Sequence, residues 1–173
     1  MKLSKEEKKV WQKHFRIEKL ENIPTKMSEF SSIDGDADDE LMLYLAKRTS
    51  ISKLYLKCSF VTDEGVGHIC KIQKLKELSL RDHKQLSKAS IVHFNQMPFL
   101  ERLNITLTNI SLSDLSMNLN NQNLKEVFLS SEENEKEIEE KGFILKERMP
   151  NCNIYLDCSE TTDVFGNAEK PIF

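Results

Sequence analysis

From Ile51 to Leu129 the chain repeats one pattern of apolar positions four times. The copies are Ile51-x-x-Leu54-x-Leu56, Leu75-x-x-Leu78-x-Leu80, Leu100-x-x-Leu103-x-Ile105 and Leu124-x-x-Val127-x-Leu129. Their middle positions, 54, 78, 103 and 127, are spaced by 24, 25 and 24 residues. Two weaker copies extend the series, Met27-x-x-Phe30-x-Ser32 before it and Asn151-x-x-Ile154-x-Leu156 after it. In each copy the closing apolar–polar–apolar triplet has the period of a strand. A turn follows, and then apolar residues recur every three or four positions, as on one side of a helix. Val66, Ile69 and Ile72 form that stripe in one copy, behind Thr62 or Asp63 as a cap. Ile91, Phe94 and Met97 form it in the next, behind Ser87 and ahead of Pro98, and Ser111 or Ser113 precedes Leu115 and Leu119. Units this small cannot bury their apolar faces alone, so the pattern predicts copies stacked side by side, with a parallel sheet on one side and helices on the other.

The L-x-x-L-x-L core at this period resembles the leucine-rich repeat. Cys58-Ser59-Phe60-Val61-Thr62-Asp63-Glu64-Gly65 is similar to the C-x-x-I-T-D-x-G signature of its cysteine-containing subclass. Cys58 stands one residue closer to Leu56 than in that subclass. Asp82, Leu107 and Ser131 fill its column in later copies, before Cys158 restores it. No F-box-like pattern precedes the repeats. The resemblance spans about residues 25–158. It implies an α/β fold, a right-handed solenoid of five to six repeats with a concave parallel sheet and convex helices, which binds other proteins. Residues 1–24 are expected to form an amphipathic capping helix, opened by Ser4-Lys5-Glu6-Glu7 as a capping box, with Val10, Trp11, Phe15 and Leu20 on its apolar side. Residues 159–173 have no periodicity and read as a tail.

Composition narrows the function classes. The chain has 173 residues, is 39% hydrophobic and 31% charged, and has a net charge of −3. That balance gives no electrostatic reason to expect nucleic acid. No apolar run approaches the ~18 residues of a membrane span. The N-terminal MKLSKEEKKVWQKHF is too charged for a signal peptide, so a cytoplasmic location is expected. The four cysteines, Cys58, Cys70, Cys152 and Cys158, lack zinc-ligand spacing and read as small buried side chains.

Three stretches invite chemistry. Asp34-Gly35-Asp36-Ala37-Asp38-Asp39-Glu40 opens like a calcium loop but has Asp39 and Leu45 where the sixth-place glycine and twelfth-place glutamate belong. Its phase places it at a strand-to-helix turn, where acids favour the helix N-terminus. Gly65-Val66-Gly67 lacks the rest of a phosphate loop and falls in a helix. The acidic run from Ser130 to Glu140 reads as a helix start. No cofactor, metal or small-molecule substrate is expected. The rival class is a thiol- or metal-dependent enzyme using Cys58 and Cys70 with nearby histidines.

Phase also assigns the residues that point away from the helices. One column is Glu29, Lys53, Glu77, Arg102, Glu126 and Asn153, alternating in sign over its first five members. The next is Ser31, Tyr55, Ser79, Asn104, Phe128 and Tyr155, and a third is Ile33, Lys57, Arg81, Thr106, Ser130 and Asp157. Tyr55, Phe128 and Tyr155 are expected to stand exposed on the concave sheet, unless the tail covers some of them with Phe165, Ile172 or Phe173. The candidate partner-binding set is therefore Tyr55, Lys57, Arg81, Arg102, Asn104, Phe128, Tyr155 and Asp157, for a protein partner or, more sharply, a toxin or enzyme that the chain neutralises. Six strands give a face roughly 24 Å across, wide enough for an interface of about 800 Å² per partner.

Overall fold

A computed structural model describes residues 3–158, 160–162 and 167–173. Six strands form one parallel sheet in chain order: β1 (Lys26–Ile33), β2 (Ser50–Lys57), β3 (Glu77–Arg81), β4 (Arg102–Ile105), β5 (Glu126–Leu129) and β6 (Asn153–Leu156). The register follows the sequence pattern. Phe30 pairs with Leu54, Leu54 with Leu78, Leu78 with Leu103, Leu103 with Val127 and Val127 with Ile154. Both weak copies are thus strands in phase with the rest.

Among the described residues there are six α-helices. Helix α1 (Lys5–Phe15) precedes the sheet. Helices α2 (Asp39–Arg48), α3 (Asp63–Ile69), α4 (Ile91–Asn95), α5 (Leu112–Asn118) and α6 (Glu135–Arg148) connect successive strands. Their buried residues and the inward strand residues form one hydrophobic cluster, from Leu41 and Leu54 through Ile69, Phe94 and Leu115 to Leu145 and Ile154. Strand side chains alternate between this cluster and a helix-free face.

The turns are stitched together by polar groups at a repeat interval. Asp38, Thr62, Ser87, Ser111 and Asn134 cap helices or helical turns with their side chains. The acid after the cap then reaches the next unit. Asp39 accepts from the Thr62 backbone N at 2.8 Å and from its hydroxyl at 2.6 Å. Asp63 does the same for Ser87, at 3.0 and 2.7 Å. The acidic run around Asp34–Glu40 is therefore partly a helix cap and partly a tie between neighbouring turns.

At the β1 end, α1 lays Val10 and Trp11 into the core cluster, and Phe15 bridges Trp11 and Phe30 with ring centroids 5.0 and 5.6 Å away. Ser4 caps this helix by accepting from the Glu7 backbone N. The Glu7 carboxylate, expected to close a capping box, is instead buried against Arg48 of α2, at 2.7 Å from Nε and 3.2 Å from Nη2. The hydrogen bond from Arg48 holds the Glu7 carboxyl below its ordinary range.

The cysteines depart from expectation. Only Cys152 is fully buried; Cys70 and Cys158 are half-buried and Cys58 is exposed. Cys58 ends β2 at φ 49°, where the strand turns, and this left-handed step swings its thiol outward instead of into the core. Asp34, Asp82 and Leu107 take the same conformation at the ends of β1, β3 and β4.

Candidate functional site

The helix-free face divides into two unlike halves. Over β1–β3 the outward residues are uncovered or half-covered: Glu29, Ser31 and Ile33, then Lys53, Tyr55 and Lys57, then Glu77, Ser79 and Arg81. Over β4–β6 the central column is buried. Asn104 is 6%, Phe128 0% and Tyr155 5% exposed.

The expectation that Phe128 and Tyr155 stand exposed is therefore wrong. They face away from the helices and lie outside the main core cluster, yet they are buried as a pair, their rings stacked 4.7 Å apart at 9°. The Arg102 guanidinium lies 4.5 Å from the Phe128 ring centroid. Arg102 is held there from both sides, by Glu126 at 3.0 Å within the sheet and by Glu160 at 2.7 Å from the C-terminal segment. Asn104, also expected to contact a partner, folds onto its own strand end and accepts from the Thr106 backbone N and hydroxyl at 3.0 and 2.8 Å. Asp157, the last of the expected set, is exposed at φ 55° and accepts from the Ser131 backbone N at 3.3 Å.

The C-terminal segment is what periodicity missed. Glu169 N donates to Thr161 O, and Thr162 faces Ala168 in an antiparallel bridge, so the segment doubles back on itself. It then meets the edge of β6. Ile154 N donates to Phe173 O at 3.0 Å and Ile172 N to Ile154 O at 2.9 Å. Phe165, one of the expected plugs, lies outside the described residues. The sequence signals for this docking were the apolar pair Ile172-Phe173 and Gly142 in the middle of a helix.

In the uncovered half the alternating column forms ion pairs within the sheet. Lys53 Nζ is 2.7 Å from Glu77, and the Tyr55 hydroxyl donates to the same carboxylate at 2.5 Å. Burial would raise the Glu77 carboxyl, but these two hydrogen bonds outweigh it and hold it below its ordinary value. Burial and the same carboxylate push the Tyr55 phenol well up. Tyr55 is thus half-buried and anchored, not a free aromatic. The third column, Ile33–Lys57–Arg81, is the open row, with Ile33 61% exposed. Arg81 Nε has no hydrogen-bond partner among the described residues, although it is shielded from water.

The rival chemical sites are weaker on geometry. The Cys58 thiol donates to Asp82 at 3.1 Å, and that hydrogen bond, with Asp34 also beside the thiol, pushes it up to about 11, away from the thiolate a nucleophile needs. Cys70 is spent on the Gly67 carbonyl, and burial raises its pKa as well. Gly65 and Gly67 lie inside α3; Gly65 is buried in the helix, and Gly67 lets the His93 ring come close. Sequence reasoning also missed the pair Ser59–His83. Ser59 Oγ lies 2.7 Å from His83 Nε2, and His83 Nδ1 lies 2.9 Å from Arg81 O. This has the connectivity of a nucleophile and its base, but both residues are buried and burial lowers the imidazole pKa, so the pair ties two turns together. Among the described residues no three His, Cys, Asp or Glu side chains converge on a point where a metal ion would fit, and no helix is long and apolar enough to cross a membrane.

No family model matches the chain, and no curated protein is significantly similar to it in sequence.

Proposed function

We propose that the chain is a leucine-rich-repeat-type solenoid that acts as a protein-interaction module, without catalysis, and that it binds through the half of its helix-free face formed by β1–β3. The repeated motif and the chain-order parallel register support the solenoid reading. The observation that carries the binding reading is the uncovered row Ile33–Lys57–Arg81 beside Tyr55, in which an exposed aliphatic side chain adjoins two cations and one shielded, unpaired guanidinium N–H. The fitting partner is a protein surface that sets carboxylates against Lys57 and Arg81 and an apolar side chain against Ile33 and Tyr55. Phe128, Tyr155 and Asn104 leave the candidate set, and Arg102 becomes part of the cover. A toxin- or enzyme-neutralising role is one form of this reading.

The test is affinity capture with the full chain, followed by titration of the captured protein against variants. Lys57→Glu with Arg81→Glu should weaken binding by more than tenfold, about 1.4 kcal/mol, with thermal unfolding unchanged. Unaltered affinity in a folded double variant would sink the assignment.

A further inference from the structure

The β6 edge is separate from the face proposed above. In any open sheet the last strand presents unpaired N–H and C=O groups that can template another strand. Here Ile154 spends both of its outward groups on the segment Ile172–Phe173. The Phe173 ring passes over the edge onto α6 and packs against the hydrophobic cluster. It lands on Gly142. A Cβ at that position would stand 1.8 Å from Phe173 Cε2 and 2.2 Å from Cζ. Glycine inside a helix is less favourable than alanine by about 1 kcal/mol, and α6 carries it at the one turn where a ring needs the room. Two main-chain hydrogen bonds plus an aromatic ring in a socket are the elements by which a sheet edge captures an extended peptide.

The occupant is held lightly. Ile172 is 43% exposed, and Phe173 is only partly buried. Farther back, among the described residues, Glu160 reaches the sheet through its exposed carboxylate on Arg102. We infer that the β6 edge and the Gly142 socket form a peptide-docking site for an extended segment bearing an adjacent aliphatic and aromatic side chain, and that residues 172–173 fill it in cis until a partner segment of the same chemistry displaces them. The inference rests on the edge and α6 alone and does not depend on the β1–β3 reading.

The probe is a fluorescein-labelled peptide of residues 167–173, titrated against full-length protein. Phe173→Ala empties the socket and should bind the peptide at least tenfold more tightly than wild type, whose own segment competes. Adding Gly142→Leu to Phe173→Ala fills the socket and should return binding to the wild-type level. Equal affinity of wild type and Phe173→Ala, no binding by either, or binding by Phe173→Ala that survives Gly142→Leu would each overturn the proposal. Amide exchange on Gly142→Ala adds an independent readout: the Ile154 and Ile172 amides should exchange faster while those of β1–β4 keep their protection. Unchanged exchange at Ile154 and Ile172 would overturn the socket. Lys57→Glu with Arg81→Glu should leave peptide binding as it is, so failure of the face and failure of the edge are told apart.

Discussion

Strands β1–β3 and β4–β6 are built alike on the helix side and differently on the other. In both halves the inward residues, such as Leu54 and Leu56 or Val127 and Leu129, are buried in one cluster. On the helix-free side the first half presents a polar lattice, with Lys53, Glu77 and the Tyr55 hydroxyl satisfied within the sheet and Ile33 left bare. The second half presents a stacked aromatic pair under Arg102, which the C-terminal segment helps to hold through Glu160. Outward phase on a strand is therefore not exposure. In the second half the outward Phe128 and Tyr155 form a small buried cluster beneath Arg102, while the outward residues of the first half stay uncovered or half-covered.

The largest effect should come from the covered half. Phe128→Ala removes a ring that is fully buried, and urea unfolding should show a loss of about 3–5 kcal/mol. Tyr55→Ala, in the same column three strands earlier, should lose much less. Equal losses at the two positions would erase the distinction between the halves.

The uncovered half is secured from the helix side, by α1. Arg48→Ala leaves the buried Glu7 carboxylate without its main partner, and because Arg48 keeps some contact with water the loss should be about 2–3 kcal/mol. The pH dependence gives the sign. Glu7 has a folded pKa below its ordinary value of 4.5, so its contribution is complete above pH 4.5 and disappears as pH falls through the depressed value. Urea midpoints taken between pH 6 and pH 3 should therefore converge for wild type and Arg48→Ala as the pH drops. A gap that stays constant would show that Glu7 is not the group involved.

Much of this architecture was legible in the chain, for a physical reason. Strand register, the caps at Thr62, Ser87 and Ser111, and the helix placement of Gly65 and Gly67 follow from local chemistry repeated at a fixed interval. Each copy corroborates the others. The misreadings fall where one contact is made once. Arg102 meets Glu160 across 58 residues of sequence, and nothing in either neighbourhood announces the pairing. Cys58 turns outward because its backbone adopts a positive φ, a property of the turn that the cysteine itself does not encode. Glu7 was correctly placed in a first helical turn, but a partly exposed arginine from α2 outcompeted the local cap for its carboxylate. Ser59 and His83 meet between turns, as do Asp39 and Thr62, but only the second tie recurs in the next unit and could have been found by phase.

Arg102 should show an intermediate effect. Arg102→Ala deletes the cation over Phe128 and both carboxylate contacts, a loss of about 1–2 kcal/mol. It should also raise amide exchange around Glu160 to Thr162 while leaving β1–β3 unchanged. A loss confined to stability, with no change at those amides, would mean that the clasp does not hold the segment.

The smallest effect belongs to the uncovered half. Lys53 and Glu77 form an ion pair on partly solvated side chains, 44% and 27% exposed. Pairs of this kind contribute about 0.2–1 kcal/mol and are screened by salt. Lys53→Ala should therefore cost less than about 1 kcal/mol in low salt, and half a molar sodium chloride should remove most of the difference. The Tyr55 hydroxyl would still donate to Glu77, so the carboxylate keeps a partner and the lattice loosens without opening. If Lys53→Ala proved as damaging as Arg102→Ala, the polar lattice of β1–β3 would be a structural clasp like its counterpart over β4–β6, and the contrast between the two halves would be lost.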